Sequence, residues 1–498
     1  MGVVRKQSIL SSIFIYIGFA IGAINILVLF PKYFTPEEIG LTRIILDVAL
    51  LFSTACTLGS IPIVLKFYPF YDTFLPKKRN DLPLLTLMLC LTGCILLFLI
   101  LPHLKPFILK KFGARSPLFV DYFDLVYPFT ICLVFFSFFE AHAWSRKKTV
   151  LSNALKEFAF RLLTTLLITL FIFNLVTFDT FISLYAYVFA IPVLIFVYSL
   201  GRNNNFPLQP TTSHVTKRLK GKMFSFAAFV FGGAILNIIA RTNDTIIIAS
   251  QSTGGLSDAA VFTIGTYLVT VMEVPQRSLI SISTPFIAEA WRSRNLSKIE
   301  SLYKKTSINL LIAGLGIFGL VLININDAIS FLGPAYQALA MIVLISGIAK
   351  LVDLATGLNT QILLLSKFWK LEFFSNMLLV ALSIPLNYWL TKRYNVMGPA
   401  WGNLIALTVF NGLRFLMIYR IFKLQPFAWR HLWALALAFA TFGIIYVLPL
   451  TGNIFVDVVI RSCLFIGIYG TLILRFKVSM DIDSLFENVK ARFLKYRR

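Results

Sequence analysis

Ten ionisable residues stand inside stretches that are otherwise apolar, and most come at helical spacing. Arg43 and Asp47 are four apart, Arg241 and Asp244 three, Glu273 and Arg277 four, and Lys350 and Asp353 three. Arg161 and Arg414 have no opposite charge at that spacing within their apolar stretches. Residues three or four apart share one face of a helix, so each pair can neutralise itself. A charge placed in hydrocarbon costs at least ~2.5–3.5 kcal/mol, so these side chains must face protein or a watered cavity. The chemistry open to them is electrostatic. Guanidinium groups recognise phosphate and carboxylate, and the two unpaired arginines suit an anion such as a pyrophosphate. The plainer alternative is that each pair is a neutralised lock between helices. Four pairs in one bundle favour a polar, mixed-charge lumen over four separate locks.

Chemistry of other kinds is not written in the chain. No Cys or His pair has zinc-ligand spacing, and there is no HExxH, P-loop or GxSxG stretch. The histidines His103, His142, His214 and His431 are scattered. Outer loops are mostly too short to carry acid–base groups, so the expectation is a protein that is not an enzyme, with no cofactor and no metal. Without a nucleotide-binding stretch, the chain is not expected to be an ATP-driven pump. Cys56, Cys90, Cys94, Cys132 and Cys463 all lie in apolar segments. Cys90 and Cys94, one turn apart, suit packing better than a bridge.

The elements that must position the charges are membrane helices. The 498 residues are 58% apolar and 14% charged, with mean hydropathy +0.81, outside the range of soluble domains. The apolar residues run in blocks of about 20, the length that spans a bilayer core. The net charge of +24 could point to nucleic acid, but its placement argues otherwise. About 32 of the 46 Lys and Arg fall on one side of the expected topology and about 7 on the other, the positive-inside pattern. Both termini are then cytoplasmic, anionic lipid headgroups are favoured neighbours, and nucleic acid is not an expected partner. The basic start MGVVRKQSIL leads into a full-length apolar run without a cleavage site, so it reads as an uncleaved first span.

The expected fold is an all-α polytopic membrane protein of about fourteen transmembrane helices. Residues 1–200 form a first six-helix bundle, 201–222 a basic cytoplasmic linker, and 223–420 a second six-helix bundle. Residues 421–474 add two helices, and 475–498 read as a basic amphipathic tail on the inner leaflet. Arg461 is expected to snorkel from a span end, and Glu140 to lie near the interface. The outer connection Lys105–Asp124 mixes lysines with phenylalanines and reads as an interfacial segment. Gly22-Ala23-Ile24-Asn25 has a counterpart in Gly233-Ala234-Ile235-Leu236-Asn237, and Ser60-Ile61-Pro62 in Ser283-Thr284-Pro285. Two halves that start on the same side would be parallel pseudo-repeats around a central cavity.

The opening RKQSILSSIFIYIGFAIGAINILVLFPKYFTPEEIGLTRIILDVALLF and the later ARTNDTIIIAS are similar to what members of the multidrug/oligosaccharidyl-lipid/polysaccharide (MOP) exporter superfamily carry at those places. Within it the chain most resembles the polysaccharide branch, the Wzx-type oligosaccharide flippases. That resemblance implies a V-shaped pair of bundles working by alternating access. It implies a cargo of undecaprenyl-pyrophosphate-linked oligosaccharide, carried across a bacterial cytoplasmic (inner) membrane for surface polysaccharide, lipopolysaccharide or O-antigen. It makes Arg43, Arg161, Arg241 and Arg414 candidates for the pyrophosphate or acidic sugars. Asp47, Asp244, Glu273 and Asp353, with Arg277 and Lys350, would balance charge or bind a coupling ion, H+ or Na+. Other polysaccharide-assembly membrane proteins are implied partners. Lipid II flippases carry arginines toward the start of the first span, whereas no charge lies between Ser8 and Phe30 here; this argues against a peptidoglycan precursor. Alternatives are a cation-coupled multidrug antiporter of the same fold, or a membrane enzyme that polymerises or ligates lipid-linked glycans.

Overall fold

The computed structural model describes residues 2–202, 208–448, 451–484 and 486–487. The remainder of the expected tail, residues 488–498, lies outside the described residues, as do Leu485 and part of the expected linker. Among the described residues every regular element is helical. Among these residues ten helical segments are long and apolar enough to cross a membrane, or eleven if one bent pair counts as a single span. The chain is a multi-pass α-helical membrane protein. It divides into two compact units, Met1–Ala260 and Val261–Arg498.

The principal helices of the first unit are α1 (Gly2–Ile24), α2 (Pro36–Cys56), α3 (Ser60–Phe74), α4 (Leu82–Gly113) and α5 (Val126–Ser145). They continue as α6 (Phe160–Ile172), α7 (Phe178–Ala186), α8 (Ala190–Gly201) and α9 (His214–Gln251). After α10 (Gly255–Thr270) come α11 (Glu273–Arg292), α12 (Leu296–Ile323), α13 (Leu339–Ala355) and α14 (Asn359–Leu365). The last are α15 (Trp369–Tyr394), α16 (Gly398–Phe422), α17 (Trp429–Tyr446) and α18 (Ile454–Arg475). The unit boundary follows packing: α9 packs on α2, α3 and α4 and so falls with the first unit. The repeat boundary expected at 222/223 follows chain pattern, which is a different division.

Spans that read as single helices are broken midway. The span expected over 41–65 ends α2 at Cys56 and restarts as α3 at Ser60, because Leu58 and Gly59 take left-handed backbone (φ 45° and 76°). The span expected over 336–365 is broken in the same way between α13 and α14, at Gly357 (φ 60°). The span expected over 259–285 bends by 48° between α10 and α11. The connection expected on the outer side after residue 104 begins as helix. The α4 helix runs through Pro102 and Pro106 to Gly113, and its 32 residues span ~48 Å, well beyond a ~30 Å hydrocarbon core. Phe112, Phe119 and Phe123 then stack edge-to-face at 4.9 and 5.6 Å and close the turn into α5.

Packing is apolar where helices meet. Cys56, Cys90 and Cys94 lie together with Val134 and Phe138, all five cysteines of the chain being free thiols. In the second unit, α12, α17 and α18 share a core that includes Leu311, Leu315, Leu437, Phe465 and Tyr469. The α15 and α16 helices run antiparallel, with Gly398 against Thr391 and Gly402 against Asn387.

Candidate functional site

In the first unit the site is built on α2. Its start is fixed by a capping box, Thr35 with Glu38, and by Pro36 at the first turn. This sets Arg43 and Asp47 on one face, and Arg43 Nε donates to Asp47 Oδ2 at 2.8 Å. The same oxygen accepts from Thr245 Oγ1 of α9 at 2.5 Å. Asp47 is fully buried, and its other oxygen, Oδ1, has no hydrogen-bond partner among the described residues. The Arg43 side chain is 36% exposed. Arg241, also exposed, is one turn before Thr245 on α9 and within electrostatic range of Asp47. Two accessible guanidinium groups thus stand on the two helices that Asp47 and Thr245 join, one of them bonded to the buried carboxylate. Asp244 is half-buried on the same helix and next to the buried Asn243.

Arg161 is not the unpaired cation that its apolar stretch suggested. It bonds Glu157 of its own helix run at 3.1 Å, because the helix extends further toward its start than hydropathy indicated. Its backbone carbonyl accepts from Asn25 Nδ2 (3.0 Å) and from Thr165 Oγ1 (2.9 Å). Asn25 opens one π-helical stretch, Asn25–Leu29, and Arg161 follows another, Ala154–Ala159. Such widened turns leave backbone groups for side chains to satisfy. Glu140 is buried, and accepts from Ser152 Oγ at 3.1 Å and Lys156 Nζ at 3.2 Å.

The second unit joins two of the expected pairs into one network. Glu273 holds Arg277 at 2.9 Å and Lys350 at 3.2 Å, and Lys350 also reaches Asp353 at 3.0 Å. Asp353 accepts further from Gln276 (3.1 Å) and Asn411 (3.4 Å). The Asn411 oxygen in turn takes Thr356 and Asn359 at 3.1 and 3.0 Å. This chain ties α11, α13, α14 and α16 across the break at Gly357.

Arg414, expected without a partner, is the most enclosed cation of the set at 3% exposure. It bonds Glu372 of α15, Ser375 Oγ (3.0 Å), Asn376 Oδ1 (3.3 Å) and Thr360 Oγ1 (2.8 Å), with its guanidinium 3.8 Å from the Phe410 ring centre. Arg461, expected at a span end, pairs with Asp327 at 2.9 Å. Sequence reading missed Glu372, Gln276, Asn411 and Thr245. The signal available was the presence of Asn, Gln and Glu within apolar runs, which names the residues but not their partners.

The arrangement can hold an anion at the two open arginines of the first unit. The second-unit network balances three cations, Arg277, Lys350 and Arg414, against three carboxylates, Glu273, Asp353 and Glu372. Among the described residues no three His, Cys, Asp or Glu side chains are grouped to hold a metal ion.

Neither protein-family models nor curated protein sequences give a match to this chain. Solved structures do. One is a lipid II flippase MurJ in an inward closed conformation, with TM-score 0.74 and 13% identity, covering 94% of this chain and 98% of that one. A multidrug resistance MATE family transporter of the MOP superfamily, inward-facing, aligns with TM-score 0.63 and 14% identity over 78% of this chain and 91% of that one. An outward-facing MATE transporter aligns with TM-score 0.53 and 13% identity over 88% and 96%. The chain therefore has the fold of MOP-superfamily membrane transporters. At these identities the likeness speaks for the fold and not for the ligand.

Proposed function

We propose that this protein is a flippase that moves a lipid-linked, undecaprenyl-pyrophosphate oligosaccharide from the cytoplasmic to the outer leaflet of a bacterial inner membrane by alternating access. The observation that carries the reading is the pair of open guanidinium groups, Arg43 and Arg241, on the two helices that Asp47 and Thr245 join. Two partly accessible guanidinium groups in a membrane-spanning unit suit a pyrophosphate better than a drug cation. Arg43 and Arg241 are assigned to the anionic group. Arg414, enclosed with Glu372 of α15, holds helices in place, and Arg161 is balanced by Glu157 within its own helix run. Asp244, Glu273, Arg277, Lys350 and Asp353 balance charge or serve a coupling ion.

The proposal includes fourteen spans in two six-helix bundles plus two helices, with both termini cytoplasmic. The count is supported by the long segment Trp369–Phe422, which contains both α15 and α16, and by the further helices Thr149–Ile172 and α17. The testing experiment is deletion of the gene in its host, extraction of lipid-linked oligosaccharides and assignment of their leaflet. Completed undecaprenyl-pyrophosphate oligosaccharide held on the cytoplasmic face, with surface polysaccharide lost, is the expected result. Unchanged surface glycan and lipid intermediates in a strain lacking redundant transporters would sink the proposal.

A second reading is a cation-coupled antiporter. It is favoured by one observation, the unfilled buried oxygen of Asp47, which a proton or Na+ would satisfy. That reading expects increased drug sensitivity on deletion, with glycan intact.

A further inference from the structure

A cavity of about 490 Å³ opens in the first unit, between the turn that follows α3 and the segment leading into α9. Phe74, Lys78, Arg79, Gln209, Thr211 and His214 are among its walls. Its size falls in the ~300–1,000 Å³ range of small-ligand sites. Among the described residues no acidic side chain lines it, and neither Lys78 nor Arg79 has a carboxylate within ion-pair distance.

The walls are held by a buried knot beside the cavity. Asp81 Oδ2 accepts from the Ser213 backbone N–H and from Thr216 Oγ1, both at 2.8 Å. The Thr216 hydroxyl, having given its proton to Asp81, accepts from the Tyr71 hydroxyl at 2.6 Å. Tyr71, Asp81 and Thr216 are all at least nine-tenths buried. The start of α9 is thus already capped by Ser213, whose Oγ accepts from the Thr216 N–H at 3.2 Å, with Asp81 holding the cap in place, and Lys78 and Arg79 are left to face the cavity. One wall is apolar: Phe74 is 62% exposed, beside Leu75 and Pro76. A large exposed ring next to basic residues at a helix end is the pattern of a membrane interface. The asymmetry of Lys and Arg assigns this turn to the cytoplasmic side.

From these observations we infer that the cavity binds the phosphate headgroup of an anionic lipid of the cytoplasmic leaflet. Lys78 and Arg79 pair with the phosphate, Gln209 and Thr211 reach headgroup hydroxyls, and Phe74 lies against the acyl chains. The site is separate from the arginines assigned to cargo and does not rest on that assignment. A free phosphate ion offers the same charge but no chain for Phe74.

The test uses the purified full-length protein in detergent, titrated with phosphatidylglycerol or phosphatidylcholine and read by native mass spectrometry. Lys78→Gln/Arg79→Gln is expected to weaken phosphatidylglycerol binding about 30-fold, from roughly fivefold per cation. Lys217→Gln/Arg218→Gln removes the same charge from exposed positions of α9 outside the cavity and is expected to change it by less than about threefold. Equal loss in both double variants, or equal binding of phosphatidylcholine, overturns the inference. Displacement of phosphatidylglycerol by inorganic phosphate at comparable concentration overturns the lipid assignment; retention in its excess supports it. If the first variant does not fold, acylation of the wild-type protein decides. Phosphatidylglycerol should slow modification of Lys78 and not of Lys217, and equal rates would count against the site.

Discussion

Arg414 and Glu372, 42 residues apart in the chain, form a buried ion pair that joins α16 to α15. Removing one partner of such a pair leaves a buried charge uncompensated, which costs about 3–5 kcal/mol, whereas replacing both by apolar groups is often neutral. Glu372→Gln is therefore expected to lower thermal stability in detergent markedly. Glu372→Leu/Arg414→Met should recover most of it. A Glu372→Gln protein as stable as wild type would show that the pair does not hold these helices.

Thr245 and Asp47 tie α9 to α2 in the first unit. Thr245→Val keeps the shape and removes a hydrogen bond to a charged group, for an expected loss of about 1.5–3 kcal/mol. Arg241→Ala takes away an exposed cation for which no ion pair is formed among the described residues, so its stability should change by less than about 0.5 kcal/mol. Its effect should fall on transport: at least a tenfold loss of translocation of lipid-linked oligosaccharide in reconstituted vesicles. Normal translocation by Arg241→Ala would remove that residue from the anion site.

Lys350 is the only cation bonded to both Glu273 and Asp353 among the described residues. Lys350→Met strands Asp353 without a cation, and a destabilisation of about 3–5 kcal/mol is expected. Lys350→Met/Asp353→Asn restores the charge balance, because Glu273 keeps Arg277. Denaturation of both variants checks this: the double variant should be the more stable of the two, and the reverse order would mean that the network is not electrostatic in origin.

Two glycines of α16 should respond with opposite sign to the same substitution. A Cβ on Gly402 would lie 1.9 Å from Asn387 Oδ1 of α15, so Gly402→Ala overpacks the hairpin and should cost about 1–3 kcal/mol. Gly412 has nothing within 4 Å of that position, and Gly412→Ala should stabilise by about 0.5–1 kcal/mol through helix propensity alone. Thermal unfolding of the two single variants measures both.

Sequence by itself determined the membrane class, the existence of most spans and which residues carry charge inside them. It also gave the local pairs: Arg43 with Asp47, Glu273 with Arg277 and Lys350 with Asp353 form as their spacing requires. Those features depend on hydropathy over ~20 residues and on the 3.6-residue period of one helix, both of which are local. Tertiary structure decided the rest. The partners of Arg414, Asp47 and Asp353 come from α15, α9, α11 and α16, at separations no helical period reaches. Arg161 found its partner within its own helix run, but only because the helix starts earlier than hydropathy marks. The breaks at Gly59 and Gly357 were equally hidden, since a glycine in an apolar run reads the same whether its φ is negative or positive. Which cations are enclosed and which stay open depends on how neighbouring helices cover them. That covering is a property of packing, and it separates Arg414 from Arg43 and Arg241.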